Sequence, residues 1–131
     1  MGYRQSEVTT LKTREMTLRV TADEAAPGRS RSYLLELKPF LEPRFDDVAL
    51  VLSELVTNSV KHGTRDGEIR VRVTATGDSI RLEVGDGGRG FDAAESRGDG
   101  MGLNIIDMVA DAWGVRRDGQ FIVWVEMKRT I

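Results

Sequence analysis

Residues 69–84 constrain the fold more than any other stretch of the chain. Ile69, Val71, Val73 and Ala75 alternate with polar side chains, Thr76-Gly77-Asp78-Ser79 interrupts, and Ile80, Leu82 and Val84 resume the alternation. Successive side chains of a strand point to opposite faces, so two such runs joined by a polar turn read as a β-hairpin. Both strands share one apolar face, and that face has to be covered. Met16, Leu18 and Val20 alternate in the same way near the start, and Phe121, Val123, Val125 and Met127 suggest a last strand.

The cover reads as helical. From Asp46 the apolar positions Val48, Val51, Leu52, Leu55 and Val56 follow a helical period, with Asp46 and Asp47 near the positive end of the dipole and Gly63 as a stop. Pro27 suits the first turn of an earlier helix, in which Tyr33, Leu34, Leu37 and Leu41 recur at helical spacing until Pro39 ends or kinks it. A later helix is expected from Leu103 to Trp113, with Leu103, Ile106, Ala110 and Trp113 on one side and Asp107 and Asp111 on the other. The order β-α-α-β-β-α-β predicts an α+β two-layer sandwich. Its mixed, mostly antiparallel sheet of about four or five strands is covered on one face by about three helices. At 131 residues the length suits a single domain, here 16–131, with the polar, aperiodic residues 1–15 as a loosely ordered arm.

Composition removes several functional classes. Nineteen basic against 21 acidic side chains leave a net charge of −2, which gives no general basic footprint for nucleic acid, a local patch aside. Without cysteine there is no disulfide framework or thiolate zinc site, and one histidine does not make a histidine-rich metal centre. Any metal must be held by oxygen. No apolar run reaches bilayer length and the start, MGYRQSEVTT, lacks the apolar core of a signal peptide, so the chain reads as cytoplasmic with no membrane partner.

Three segments interrupt the core pattern. Gly85-Asp86-Gly87-Gly88-Arg89-Gly90 formally fits G-x-G-x-x-G. A dinucleotide fingerprint, however, opens a helix directly and has an acidic residue about twenty positions on, beyond that helix. Here only Phe91 to Arg97 precede another glycine cluster, and position 107 lies inside the expected helix. The simplest reading of this segment is a turn with Asp and Gly chosen for positive φ. Gly98-Asp99-Gly100-Met101-Gly102 leads straight into the helix that starts at Leu103. It is either a flexible loop before an N-terminus or a phosphate cradle made of free amides at the positive dipole end. On the central helix, Glu54 and Asn58 are four residues apart and share a face. Asn58 offers an oxygen suited to Mg²⁺ and Glu54 a proton acceptor, unless both simply lie at the solvent edge. His62, one turn further, reads as a cation near a helix C-terminus or a satisfied polar residue rather than a ligand.

Taken together, ELVTNSVKHG at 54–63, GDGGRG at 85–90 and GDGMGLN at 98–104 resemble the Bergerat-type ATP-binding fold of the GHKL superfamily, shared by gyrase, Hsp90, histidine kinases and MutL. The small size and the form ELVTNSVKHG…VGDGGRGFD…GDGMGLNIID…WGV resemble the bacterial anti-sigma factor serine kinases, over about residues 16–128. The resemblance implies ATP and Mg²⁺ as cofactors, Glu54 as catalytic base and Asn58 as metal ligand. It makes Asp86 the acceptor of the adenine amino hydrogen, with Gly88 and Gly90 shaping the adenine pocket. Gly100, Met101, Gly102 and Leu103 form the third nucleotide-binding box, with the backbone of Gly100 and Gly102 against the phosphates.

The implied function is that of an ATP-binding anti-sigma factor and protein serine kinase. Such a protein phosphorylates an anti-anti-sigma (STAS-type) antagonist in a partner-switching pathway, and its other partner is a sigma factor. Family members commonly dimerise. The alternative is a non-catalytic ATP-binding module that sequesters a regulatory partner, which has less use for a carboxylate at Glu54. Only seven residues separate Gly90 from Gly98, a short lid for this superfamily, with Arg89 or Arg97 as the candidate source of positive charge. A short lid suits weak or fast-exchanging ATP binding.

Overall fold

The apolar face of the hairpin is covered as its alternation requires. A computed structural model of the chain describes residues 13–63, 67–88 and 103–129. Strands β1 (Arg14–Thr21), β2 (Glu68–Ala75), β3 (Ser79–Asp86), β4 (Ala112–Arg117) and β5 (Phe121–Lys128) form one five-stranded sheet in the order β1-β2-β3-β5-β4. Every neighbouring pair is antiparallel, so the mixed sheet expected from the sequence is antiparallel throughout among the described residues. The shared face is explicit in the register: Met16 pairs with Val73, Val73 with Leu82, and Leu82 with Val125, and all four side chains are buried.

The helical layer consists of α1 (Ala26–Leu34), a 3₁₀ turn (Leu35–Leu37), the short α2 (Lys38–Leu41), α3 (Phe45–His62) and α4 (Leu103–Val109). Pro27 sits in the first turn of α1, where its missing N–H has no helical partner to lose. Just before α1, Asp23 Oδ1 accepts from the Ala25 N–H at 2.9 Å and its carboxylate pairs with Arg29 at 2.8 Å. The Arg29 hydrogen bond holds the Asp23 carboxyl below the usual aspartate value. Pro39 removes a donor and would clash with the carbonyl four residues back, and the helix accordingly tightens into the 3₁₀ turn before a new one starts at Lys38. Leu34, Leu37 and Leu41 are buried as their spacing requires, whereas Tyr33 is 48% exposed and lies outside the stripe.

α3 carries the largest single share of the cover. Val48, Val51, Leu52, Leu55 and Val56 are at most 1% exposed. Burial of each such side chain contributes about 1.5–3 kcal/mol, enough to fix how this helix lies on the sheet.

The helix expected from Leu103 to Trp113 is shorter. α4 ends at Val109, and Trp113 belongs to the strand β4. Ile106 is fully buried, while Ala110 and Trp113 are partly buried against the same core. The chain changes course because its next polar groups are taken by strand β5. The Asp111 N–H donates to the Glu126 carbonyl at 2.9 Å, and the Asp111 carboxylate accepts the Lys128 N–H at 2.5 Å. β4 is an edge strand exposed over much of its length, so it lacks the alternation that marks the other four.

The uncovered face of the sheet is polar. Arg81 lies over the Trp124 ring at 5.0 Å and bonds Glu83 and Glu126, and Arg72 pairs with Glu15. Burial opposes the charge on Arg81, but its two glutamate hydrogen bonds more than offset this and raise its pKa. Such half-exposed pairs contribute little stability individually.

One buried group works against the fold. Ser30 on α1 is 0% exposed and its Oγ has no hydrogen-bond partner. An unsatisfied buried hydroxyl is unfavourable, and alanine is the better helix former. Ser30→Ala is therefore expected to stabilise the protein by about 1 kcal/mol, read as a higher urea midpoint at unchanged slope.

Candidate functional site

The site forms where the C-terminal end of α3 meets the C-terminal end of β3. Asp86 is the last residue of β3 and is 4% exposed, a buried carboxylate paired across the ladder with Phe121. Its Oδ1 accepts the Gly88 N–H at 2.7 Å. Burial of a charged group is tolerated only with such partners, and this one also fixes the plane of the carboxylate.

Gly63, immediately after α3, lies against that carboxylate. A Cβ placed on Gly63 would stand 2.8 Å from Asp86 Cγ and 2.4 Å from the Ser59 carbonyl oxygen, while one on Gly88 would stand 2.3 Å from Gly63 Cα. Two backbones and one carboxyl group therefore meet with no space for a side chain. The expected reason for these glycines was conformational. Gly63 instead has an extended backbone (φ −90°), and the positive-φ glycine among the described residues is Gly119 (φ 73°). Close approach is what excludes a side chain here.

Asn58 and Glu54 lie on α3 upstream of this contact. Asn58 is 3% exposed, so it is not at the solvent edge: a carboxamide occupies a position that the packing would otherwise give to an apolar residue. Glu54 is half-buried and His62 is exposed in the last turn. At about 1.5 Å of rise per residue, Asn58 stands about 7–8 Å before Gly63 along the helix axis and Glu54 about 6 Å further on. Asp86, Asn58 and Glu54 thus succeed one another along α3 as a hydrogen-bond acceptor, a neutral oxygen donor and a carboxylate. Leu103 is the first described residue of α4, whereas Gly90, Gly100, Met101 and Gly102, with Arg89 and Arg97, lie outside the described residues.

Among the described residues no group of three or more histidine, aspartate or glutamate side chains is placed to hold a metal, and no helix is long and apolar enough to cross a membrane. A cleft of about 630 Å³ lies on the open face of the sheet, lined by Thr17, Arg19, Arg70, Arg72 and Glu83 among others. Its arginines are paired with Glu68 and Glu15, and Asp86, Asn58 and Glu54 are not part of it.

A buried carboxylate thus ends a central antiparallel strand beside a helix that carries a buried carboxamide and a half-buried carboxylate. The chain belongs to the histidine kinase-like ATPase domain family, whose model matches residues 13–128. It is similar to the serine-protein kinase RsbW of Listeria monocytogenes, 33% identical over 81 residues, 60% of this chain and 51% of that protein. It is also similar to the anti-sigma F factor of Clostridium botulinum, 27% identical over 113 residues, 75% of this chain and 78% of that protein. The chain thus spans about half the length of the RsbW relatives it matches. Among solved structures, the RsbU and RsbW domains of Rv1364c from Mycobacterium tuberculosis match with a TM-score of 0.67 at 20% identity, covering 87% of this chain and 32% of that one. That likeness establishes the fold.

Two residues that hold this arrangement carried no signal of their role in the sequence. Gly63 reads there only as a helix stop. Arg44, just before α3, is buried: its guanidinium donates to the Val109 carbonyl at 2.9 Å and the Lys128 carbonyl at 3.2 Å. Its Nε lies 3.0 Å from Asp47 Oδ2 as an ion pair outside hydrogen-bond geometry. One side chain thus joins the end of α4, the end of β5 and the start of α3. It holds the helix onto which the third glycine segment leads. Arg44→Met is expected to leave two carbonyls without their donor and lower stability by about 3 kcal/mol, measured by urea denaturation.

Proposed function

We propose that this chain binds Mg·ATP along α3 and transfers the γ-phosphoryl group to a serine of an anti-anti-sigma (STAS-type) antagonist, acting in the cytoplasm as the anti-sigma factor of a partner-switching pair. The observation that carries this reading is the Asp86 carboxylate, pinned by Gly88 at the end of the helix that bears Asn58 and Glu54. The residues present fit the ligand. Asp86 is buried and has one oxygen committed to Gly88, which leaves Oδ2 to accept the exocyclic amine of adenine. Guanine would present a carbonyl oxygen there, an acceptor facing an acceptor.

Asn58 would give the metal one neutral oxygen, with phosphates and water as its other ligands. When bound, the metal offsets charge on the phosphates. The backbone amides of Gly100 and Gly102 are the proposed phosphate contacts, beside Met101 and Leu103, and Gly90 is proposed to close the adenine pocket with Gly88. Glu54 takes the proton of the serine hydroxyl as its oxygen attacks the γ-phosphorus and the bond to the β-phosphate oxygen breaks, giving phosphoserine and ADP. Catalysis of this kind rests on positioning and charge. The names of the relatives, serine-protein kinase and anti-sigma F factor, support the same assignment. Phosphorylation weakens the grip of the antagonist and leaves this chain to bind the sigma factor.

Incubation with γ-labelled ATP, Mg²⁺ and antagonist proteins encoded nearby tests the proposal. Label on a serine is expected, and nucleotide binding without transfer would leave a sequestering module instead. Glu54→Gln should keep ATP affinity within about twofold and reduce transfer by about a hundredfold or more, the lower range for loss of a general base. Unchanged transfer would remove Glu54 from that role. Asn58→Ala should lower ATP affinity about tenfold in Mg²⁺ but hardly at all in EDTA. Equal loss in both conditions would count against a metal contact.

A further inference from the structure

The contact between Gly63 and Asp86 has a consequence for which base the site selects. We infer that Gly63 is a positioning residue for adenine selectivity: its bare backbone holds the Asp86 carboxylate in the one orientation that offers Oδ2 to an exocyclic amine. The inference rests on the proposed role of Asp86 as the adenine acceptor.

The backbone conformation does not call for glycine at position 63. With φ −90° and ψ −161° it is extended, a region open to any residue. Space is the constraint. A Cβ on Gly63 would lie 2.9 Å from Asp86 Oδ1 and 2.8 Å from Cγ, with the Ser59 carbonyl oxygen at 2.4 Å on its other side. On the other flank, a Cβ on Gly88 would lie 2.9 Å from the same Oδ1 and 2.7 Å from the Gly63 carbonyl carbon. The carboxylate is therefore confined by two main chains and tied by the Gly88 N–H at 2.7 Å.

Gly85 shows the contrast. A Cβ there would meet Gln120 Oε1 and Ile122 Cγ1 at 3.1 Å, side-chain atoms that can give way, and main-chain atoms only at 3.7 Å. At Gly63 the neighbours are a backbone carbonyl and the functional carboxyl group itself. A methyl group at 63 must displace one of them. The Ser59 carbonyl accepts the Gly63 N–H at 2.8 Å within the helix end, so the carboxyl group is the part that moves. Moving it turns Oδ2 away from the amine and breaks the Gly88 bond, while Asn58 and Glu54, further back on α3, stay in place.

Inosine triphosphate tests this, because it carries a carbonyl oxygen where ATP carries the amine. The wild-type protein should bind ATP at least about tenfold tighter than inosine triphosphate, the factor for one hydrogen bond to a charged acceptor. Folded Gly63→Ala should lose most of that ratio through weaker ATP binding, with inosine triphosphate affinity within about twofold of wild type. A purely structural role would lower both affinities alike and preserve the ratio, which would overturn the inference. A wild-type ratio near one would instead overturn the adenine reading of Asp86, and this inference with it. Should Gly63→Ala not fold, the wild-type protein decides. In ¹⁵N spectra the Gly63 and Gly88 amide resonances should shift on saturation with ADP and much less with inosine diphosphate, and equal shifts would overturn it.

Discussion

The site depends on how α3 is pressed onto the sheet. Val48, Val51, Leu52, Leu55 and Val56 are all but inaccessible to solvent, and no rotation or slide of the helix keeps them so. Protein interiors are packed as densely as organic crystals, so a shift of even a methylene's width is resisted. That fixed placement brings Gly63 to the Asp86 carboxyl group at the van der Waals limit. It also turns Asn58 inward. A buried carboxamide and a buried carboxylate are unfavourable unless partnered, and here the apolar stripe supplies the energy that holds both near one another.

How much of this was legible follows from which signals are periodic. The hairpin and α3 could be read because each buries one face and exposes the other, so that alternation or helical spacing is written directly into residues 46–84. β4 could not. It is an edge strand with Gly114 beneath the Trp124 ring, where a Cβ would lie 2.9 Å from the indole, and Trp113 falls by chance at helical spacing from Ala110. Its indole N–H instead donates to Asp107 at 2.6 Å, a tie between strand and helix that no periodicity announces. Arg44 was illegible for a related reason: what makes it structural is three partners 3, 65 and 84 residues away.

Glycine carries the most instructive misreading. Sequence reasoning treats a glycine after a helix or in a turn as a conformational device, because only glycine visits positive φ without cost. Gly119 is such a residue. Gly63 and Gly88 are not, and their reason lies in each other: a helix end and a strand end that touch through main chain. Two glycines 25 residues apart that exclude side chains for one shared contact look, in the sequence, like two unrelated stops.

The two ends of the proposed nucleotide site are held by unequal means. Asp86 ends a strand flanked by β2 and β5, and its own partner Phe121 is buried, so the base end is rigid up to the acceptor itself. The third glycine segment leads in sequence into α4, whose described residues Leu103–Val109 are anchored by Ile106, the Trp113–Asp107 bond and Arg44 at the Val109 carbonyl. On the proposed assignment of Asp86 as adenine acceptor, base identity is set at an end of the site already held by the sheet and by the Gly88 N–H. On the proposed assignment, phosphate affinity depends on the α4 anchors Ile106, Asp107 with Trp113, and Arg44. Substitutions at the α4 anchors should therefore move affinity for all nucleoside triphosphates together, and those at the α3–β3 contact should separate one base from another.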